Sequence, residues 1–98
     1  MFIYTVKLTI EQNSKNEFIN YLYKQHLPDV VNTGCFLNSS LELDTTKDEL
    51  IARYQCENQE LFDRYLTTYA DIMRNDVLQK FPSSIIKAER NFCQTITK

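Results

Sequence analysis

His26-Leu27-Pro28-Asp29-Val30-Val31-Asn32-Thr33-Gly34-Cys35-Phe36 contains the only histidine and the only glycine of the chain, and within it the hydrophobic period changes. Upstream, Phe18, Ile19, Leu22, His26 and Val30 recur at helical spacing along one side. Downstream, from Cys35, residues alternate with period two, as along a half-buried strand. Pro28 has no N–H and its ring crowds the preceding turn, which predicts a kink or short break at Gln25–Leu27 and a resumed helix from Pro28 to Asn32. Gly34 stands where a left-handed helix cap is needed, a conformation glycine adopts at no steric cost. A helix therefore ends, turns and hands over to a strand inside this one stretch.

Working outward, Phe2, Tyr4, Val6, Leu8 and Ile10 alternate with Ile3, Thr5, Lys7 and Thr9, a first strand over 2–10. Ser14 and Glu17 have the spacing of a capping box, which starts a helix at about Lys15. Past the turn, Cys35, Leu37, Ser39, Leu41 and Leu43 share one strand face, with Phe36, Asn38, Ser40 and Glu42 opposite. Asp44–Asp48 is a polar turn, and the next strand, about 49–57, sets Leu50, Ala52, Tyr54 and Cys56 against Ile51, Arg53 and Gln55. A hairpin loop of Asp44–Lys47 places Cys35 opposite Cys56; a loop two residues longer places Leu37 there.

Asn58 is a suitable N-cap for the apolar helical pattern from Leu61 to Leu78, read as one helix or as two separated at Thr67-Thr68. Phe81-Pro82-Ser83-Ser84 ends it, and Ile86, Ala88, Phe92 and Ile96 alternate with Ile85, Lys87, Glu89, Asn91 and Thr95 in a last strand. The order β-α-β-β-α-β predicts an α+β, ferredoxin-like domain over 1–98, with a four-stranded antiparallel sheet and both helices on one face.

Composition narrows the function. Eleven basic and thirteen acidic residues are spread without a basic block or an acidic tail, which argues against nucleic acid or an anionic membrane as partner. The first residues carry no basic leader, and Thr5, Lys7 and Thr9 interrupt any long apolar run. Cys35, Cys56 and Cys93 are far apart with no C-x-x-C, so the expectation is a reduced, cytoplasmic protein with no metal site and no cofactor.

The sheet face away from the helices is expected to carry Ile3, Phe36, Ile51 and Ile85 among Thr5, Lys7, Asn38, Arg53, Gln55 and Glu89. Such a mixed face suits a homodimer in which two sheets meet around a partly polar space; the alternative is a solvated face with scattered apolar residues. Chains of this size bury only about two-thirds of their unfolded surface and gain from pairing.

The string His26-Leu27-Pro28-Asp29…Thr33-Gly34-Cys35-Phe36 resembles the signature of a small uncharacterised bacterial domain family, and Tyr54-Gln55-Cys56 followed by Phe62 and Tyr65 is similar to the same family. The likeness covers essentially the whole chain. That family is similar in turn to the dimeric α/β-barrel superfamily, which includes antibiotic-biosynthesis monooxygenases that need no cofactor, muconolactone isomerases and EthD-type proteins. The resemblance implies a homodimer with a pocket between sheet and helices in each subunit. It implies no particular reaction, because one fold hosts many functions.

His26 is the candidate catalytic residue, four positions after Leu22 on the sheet-facing side, where an imidazole can act as a general base. The same position also suits a histidine that merely hydrogen-bonds a carbonyl freed at Pro28. Arg53, Lys7, Gln55 and Asn38 are candidates to bind a small polar or anionic molecule; their other reading is a cross-strand network on a wet face. Tyr4, Tyr54 and Tyr65 are expected to fill the core with their hydroxyls near its rim. Two functions are open: a homodimeric small-molecule-binding domain, or a cofactor-independent monooxygenase or isomerase with His26 as base.

Overall fold

A computed structural model describes residues 1–96. Four strands, β1 (Phe2–Ile10), β2 (Asn38–Asp44), β3 (Glu49–Cys56) and β4 (Ile85–Gln94), form one antiparallel sheet in the order β2-β3-β1-β4. The first helical segment runs as α1 (Lys15–Tyr21), a π turn (Leu22–His26) and α2 (Leu27–Val31); the second as α3 (Gln59–Arg64), a π turn (Tyr65–Tyr69) and α4 (Ala70–Lys80). This is the β-α-β-β-α-β ferredoxin-like arrangement expected from the sequence. Among the described residues no helix is long and apolar enough to cross a membrane.

The core lies between the helices and one sheet face. Tyr4, Leu8, Ala52 and Tyr54 from the central strands meet Phe18, Leu22, Val30, Phe62 and Tyr65 from the helices, all buried. Aromatic rings run through it: Phe92 stacks on Phe62 at 3.7 Å, Phe62 lies 5.0 Å from Tyr4, and Phe36 meets the Tyr65 ring edge-on at 4.9 Å. Rings of this size supply much of the buried area of a small domain.

Several local expectations are corrected. The helix at Pro28 does not break. It widens instead, with the Leu27 N–H donating to the Leu22 carbonyl, five residues back rather than four. The added room upstream of Pro28 accommodates a ring that a regular helix would push against a carbonyl. At Thr67-Thr68 the helix also continues through a π turn; Thr67 Oγ1 bonds back to the Asp63 carbonyl at 2.9 Å, an attachment that deforms a helix without ending it.

The capping box does not form. Ser14 makes no cap; Glu11 accepts from the Asn13 and Ser14 N–H groups of a 3-10 turn over Gln12–Ser14, and Ser14 Oγ pairs with Ser84 Oγ at 2.7 Å. Asn58 caps as expected, its side chain accepting from the Leu61 N–H. Gly34 has φ +86°, the left-handed value its position requires.

Two residues expected on the open sheet face are in the core. Phe36 is 5% exposed, because it follows the turn over 32–35, outside β2, and the period-two alternation starts only at Asn38. Ile85 packs on the core because the β1–β4 register slips by one residue between Thr9 opposite Lys87 and Ile10 opposite Ile85. Such a bulge reverses the faces on one side of itself, and Ile86, expected inside, is 68% exposed. Ile96 lies beyond the end of β4 and is also exposed. The hairpin register sets Asn38 opposite Gln55, the longer-loop alternative, but the ladder starts at Asn38, so Leu37 is exposed and it is Cys35, in the turn before β2, that lies against Cys56.

Candidate functional site

The helices do not seal the sheet completely. A cavity of about 230 Å³ opens between them, with Tyr4, Val6 and Leu8 of β1 and Ala52 and Tyr54 of β3 as its floor. Leu22, His26 and Leu27 form one wall, and Tyr65, Arg74 and Val77 another. Leu78 and Arg90, both exposed, mark its rim. Three of these lining residues, Leu22, His26 and Tyr65, sit in the two π turns. A π turn shifts side chains relative to a regular helix and is found disproportionately at functional sites.

His26 is partly buried, its ring 6.2 Å from that of Tyr21, and it makes no hydrogen bond to another described residue. Burial lowers its proton affinity below the ordinary histidine value, against the opposing charges of Asp29 and Asp76. The imidazole is therefore neutral near pH 7, with a nitrogen free to accept.

Three tyrosines converge on the cavity. Tyr4 Oη accepts from Arg74 Nη2 at 3.4 Å. Tyr54 and Tyr65 are only 2% and 4% exposed, yet neither hydroxyl bonds to another described residue. Burial raises both well above the ordinary tyrosine range; at Tyr65 the nearby Tyr4 adds to this, while Arg74 and Arg90 oppose it. Both hydroxyls thus stay protonated and available as donors.

The other residues singled out from the sequence lie elsewhere. Lys7, Asn38, Arg53 and Gln55 project from the sheet face turned away from the helices, on the far side from His26. Arg53 Nε donates to Glu42 at 2.6 Å and Asn38 Nδ2 to Gln55 Oε1 at 2.7 Å. The structure brings His26 to the cavity and those four to each other's face, not to one site. Cys56 Sγ lies 3.5 Å from the Cys35 carbonyl oxygen, and all three cysteines are free. Among the described residues no three His, Cys, Asp or Glu side chains are grouped to hold a metal ion.

Arg74 and Arg90 were missed in the sequence, though a signal was there. Arg74 falls on the stripe Ala70–Arg74–Val77, whose other two members are buried, and Arg90 falls between Ala88 and Phe92 on the core-facing side of β4. Each is a charge at a position the local period assigns to the interior.

A family model described as a domain of unknown function, DUF4286, matches residues 1–94. No curated protein matches the chain in sequence. Solved structures with a similar fold include an uncharacterised NIPSNAP domain protein from Burkholderia xenovorans, with 9% identity, TM-score 0.75, and 98% of this chain and 95% of that one covered. A dimeric ferredoxin-like protein from an uncultured marine organism matches at 9% identity and TM-score 0.75, covering 100% and 97%. A Streptomyces coelicolor monooxygenase in complex with nanaomycin D matches at 11% identity and TM-score 0.72, covering 99% and 88%. At these identities the likeness is one of fold.

Proposed function

Because the chain belongs to the DUF4286 family, whose function is unknown, we propose its role from the site: a homodimeric domain that takes a small organic molecule into the cavity between helices and sheet. The observation that carries this reading is the pair of hydroxyls of Tyr54 and Tyr65, whose rings are buried while the hydroxyls line a preformed cavity without a protein partner. No side-chain nitrogen or oxygen among the described residues is both buried and unpartnered, so these hydroxyls reach the open space of the cavity, and two donors beside one apolar space favour an occupant that completes them. The volume, about 230 Å³, exceeds the roughly 150 Å³ that admits benzene and falls short of drug-sized pockets, which suits a molecule of about one ring.

Self-association uses the open sheet face. Ile3 and Ile51 are half-buried there even in the single chain. A partner sheet would cover them and enclose Lys7, Asn38, Arg53 and Gln55 as the polar layer between the subunits. The similar marine protein is described as dimeric, which supports the reading. Three free cysteines suit a reducing compartment such as the cytoplasm.

The test is a ligand-observed NMR screen of one-ring compounds against the wild type and Ala88→Phe, which fills the cavity from β4. Binding to the wild type and not to the variant is expected. No binding to the wild type, or equal binding to both, would overturn the reading.

His26 favours a second reading, a cofactor-independent oxygenase or isomerase. A neutral imidazole lining the same cavity can take a proton from an acidic C–H of the bound molecule and return it. Wild-type protein in D2O should then incorporate deuterium into bound one-ring ketones, and His26→Gln should not. Equal incorporation rates for the two proteins count against His26 as base.

A further inference from the structure

Arg74 and Arg90 come from different elements, α4 and β4, and meet at one cavity. The three ion pairs among the described residues are Lys15–Asp48, Arg53–Glu42 and Lys87–Glu89, so neither cavity arginine has an acidic partner. No carboxylate lines the cavity either. The half-buried Arg74 guanidinium stands against apolar walls without a counter-charge, and with the exposed Arg90 at the rim it makes the site a region of positive potential.

The polar groups are also one-sided in kind. Arginine only donates, and the Tyr54 and Tyr65 hydroxyls, held protonated by burial, are free to donate. Tyr4 Oη already accepts from Arg74 Nη2, which leaves its own hydrogen to point elsewhere. The acceptors set against these donors are the free nitrogen of His26 and the lone pairs of the Tyr54 and Tyr65 hydroxyls, so the two guanidiniums tip the balance toward donors. A donor-rich site is matched by a group that only accepts. The rest of the lining, including Leu8, Leu22, Leu27 and Val77, is apolar and asks for a hydrocarbon body.

We infer that the cavity selects apolar organic acids, monocarboxylates of about one ring, with the carboxylate held by Arg74 and Arg90 beside the tyrosine hydroxyls and the hydrocarbon lying over β1 and β3. The planar fork of a guanidinium matches a carboxylate in two parallel hydrogen bonds, and two guanidiniums from separate elements fix where the acid end lies. The small volume excludes acids with a second ring or a long chain. This inference rests on the proposal that the cavity binds small molecules and adds the charge that it selects.

The experiment is calorimetric titration with phenylacetate, phenylacetamide and 2-phenylethylamine, three probes of nearly one shape with negative, neutral and positive ends. Phenylacetate should bind the wild type at least about tenfold more tightly than the amide, the size of one charge-assisted hydrogen bond, and the amine should not bind. Arg74→Gln and Arg90→Gln should each weaken phenylacetate by about tenfold, with the smaller loss at the exposed Arg90, and weaken the amide, which accepts only neutral-strength bonds, by clearly less. Equal affinity of acid and amide for the wild type would overturn the inference while the cavity stands as a binding site. Failure of all three probes would overturn the inference and the binding proposal together. Variants that lose acid and amide alike would show that the arginines shape the cavity without reading charge.

Discussion

Replacing Tyr54 with phenylalanine removes one oxygen atom and leaves the ring, which packs 5.8 Å from Tyr4 and 5.2 Å from Phe36. A tyrosine hydroxyl that bonds within the protein contributes about 1 kcal/mol. Tyr54 has no such bond to a described residue, so that contribution is not there to lose. A fully desolvated hydroxyl without a partner costs about 1–3 kcal/mol, and because the Tyr54 hydroxyl reaches the open space of the cavity only part of that cost applies. The expected result is a variant as stable as the wild type or more stable by up to about 1 kcal/mol. In a domain of this length 1 kcal/mol displaces Tm by about 4–8 °C, well within measurement. Urea unfolding at a fixed protein concentration is the assay, since self-association makes apparent stability depend on concentration. Binding of cavity ligands should weaken in the same variant, the usual exchange between stability and a site held ready. A loss above about 1 kcal/mol would mean that the hydroxyl is tied into the fold, and would refute the reasoning that it is kept for an occupant.

Tyr65→Phe should behave in the same way, and the double variant should be close to the sum unless one water bridges both hydroxyls. For His26, burial sets the folded pKa below the ordinary 6.5, so the unfolded chain takes up the proton first as pH falls. Its contribution is fully present above about pH 6.5 and is lost as pH falls through the folded value. Urea midpoints from pH 8 down to 5 should therefore drop less in His26→Gln than in the wild type; parallel profiles would contradict the burial. Gly34→Ala should cost about 1–2 kcal/mol from backbone strain alone, because φ is +86° and a Cβ there meets nothing within 4 Å. Phe18→Ala removes a ring with no exposed surface, packed edge-on against Phe81 at 5.1 Å, and should cost about 3–5 kcal/mol in equilibrium unfolding.

Most of the fold was legible because it depends on period. Along β1 and β3 the residues facing the helices, Tyr4, Leu8, Ala52 and Tyr54, are those that simple alternation picks out. Alternation carries no information about where it begins or skips. Phe36 is misread by counting period two from Cys35 when the strand starts at Asn38, and Ile85 by counting back across the bulge at Ile10. The π turns were hidden for a related reason. Pro28 and Thr67 announce that a regular helix cannot continue unchanged, but a chain can answer by breaking or by widening, and the packing of both helices on one sheet favours widening.

The site is less legible than the fold, because its charges do not lie where alternation puts polar residues. Period two sorts apolar from polar residues, and the charges that stand out first are those on the polar face. That leads to Lys7 and Arg53, whose side chains point away from the helices. On β3, Arg53 and Tyr54 are neighbours in the chain and on opposite sides of the sheet, so one step along the strand separates the Glu42 pair from the cavity floor. Charges that fall on the apolar face are the more informative ones, because an unpaired charge at an interior position is costly and stays only where the fold or a ligand compensates it. Arg74 between Ala70 and Val77 is such an exception, half-buried, and Arg90 between Ala88 and Phe92 falls on the same side of the sheet although it is exposed at the rim. Ferredoxin-like topology lays the second helix over the central strands, beside the edge strand that carries Arg90, and so brings the two arginines to one place. Their convergence with two unpartnered hydroxyls is what distinguishes a site from an irregularity in packing.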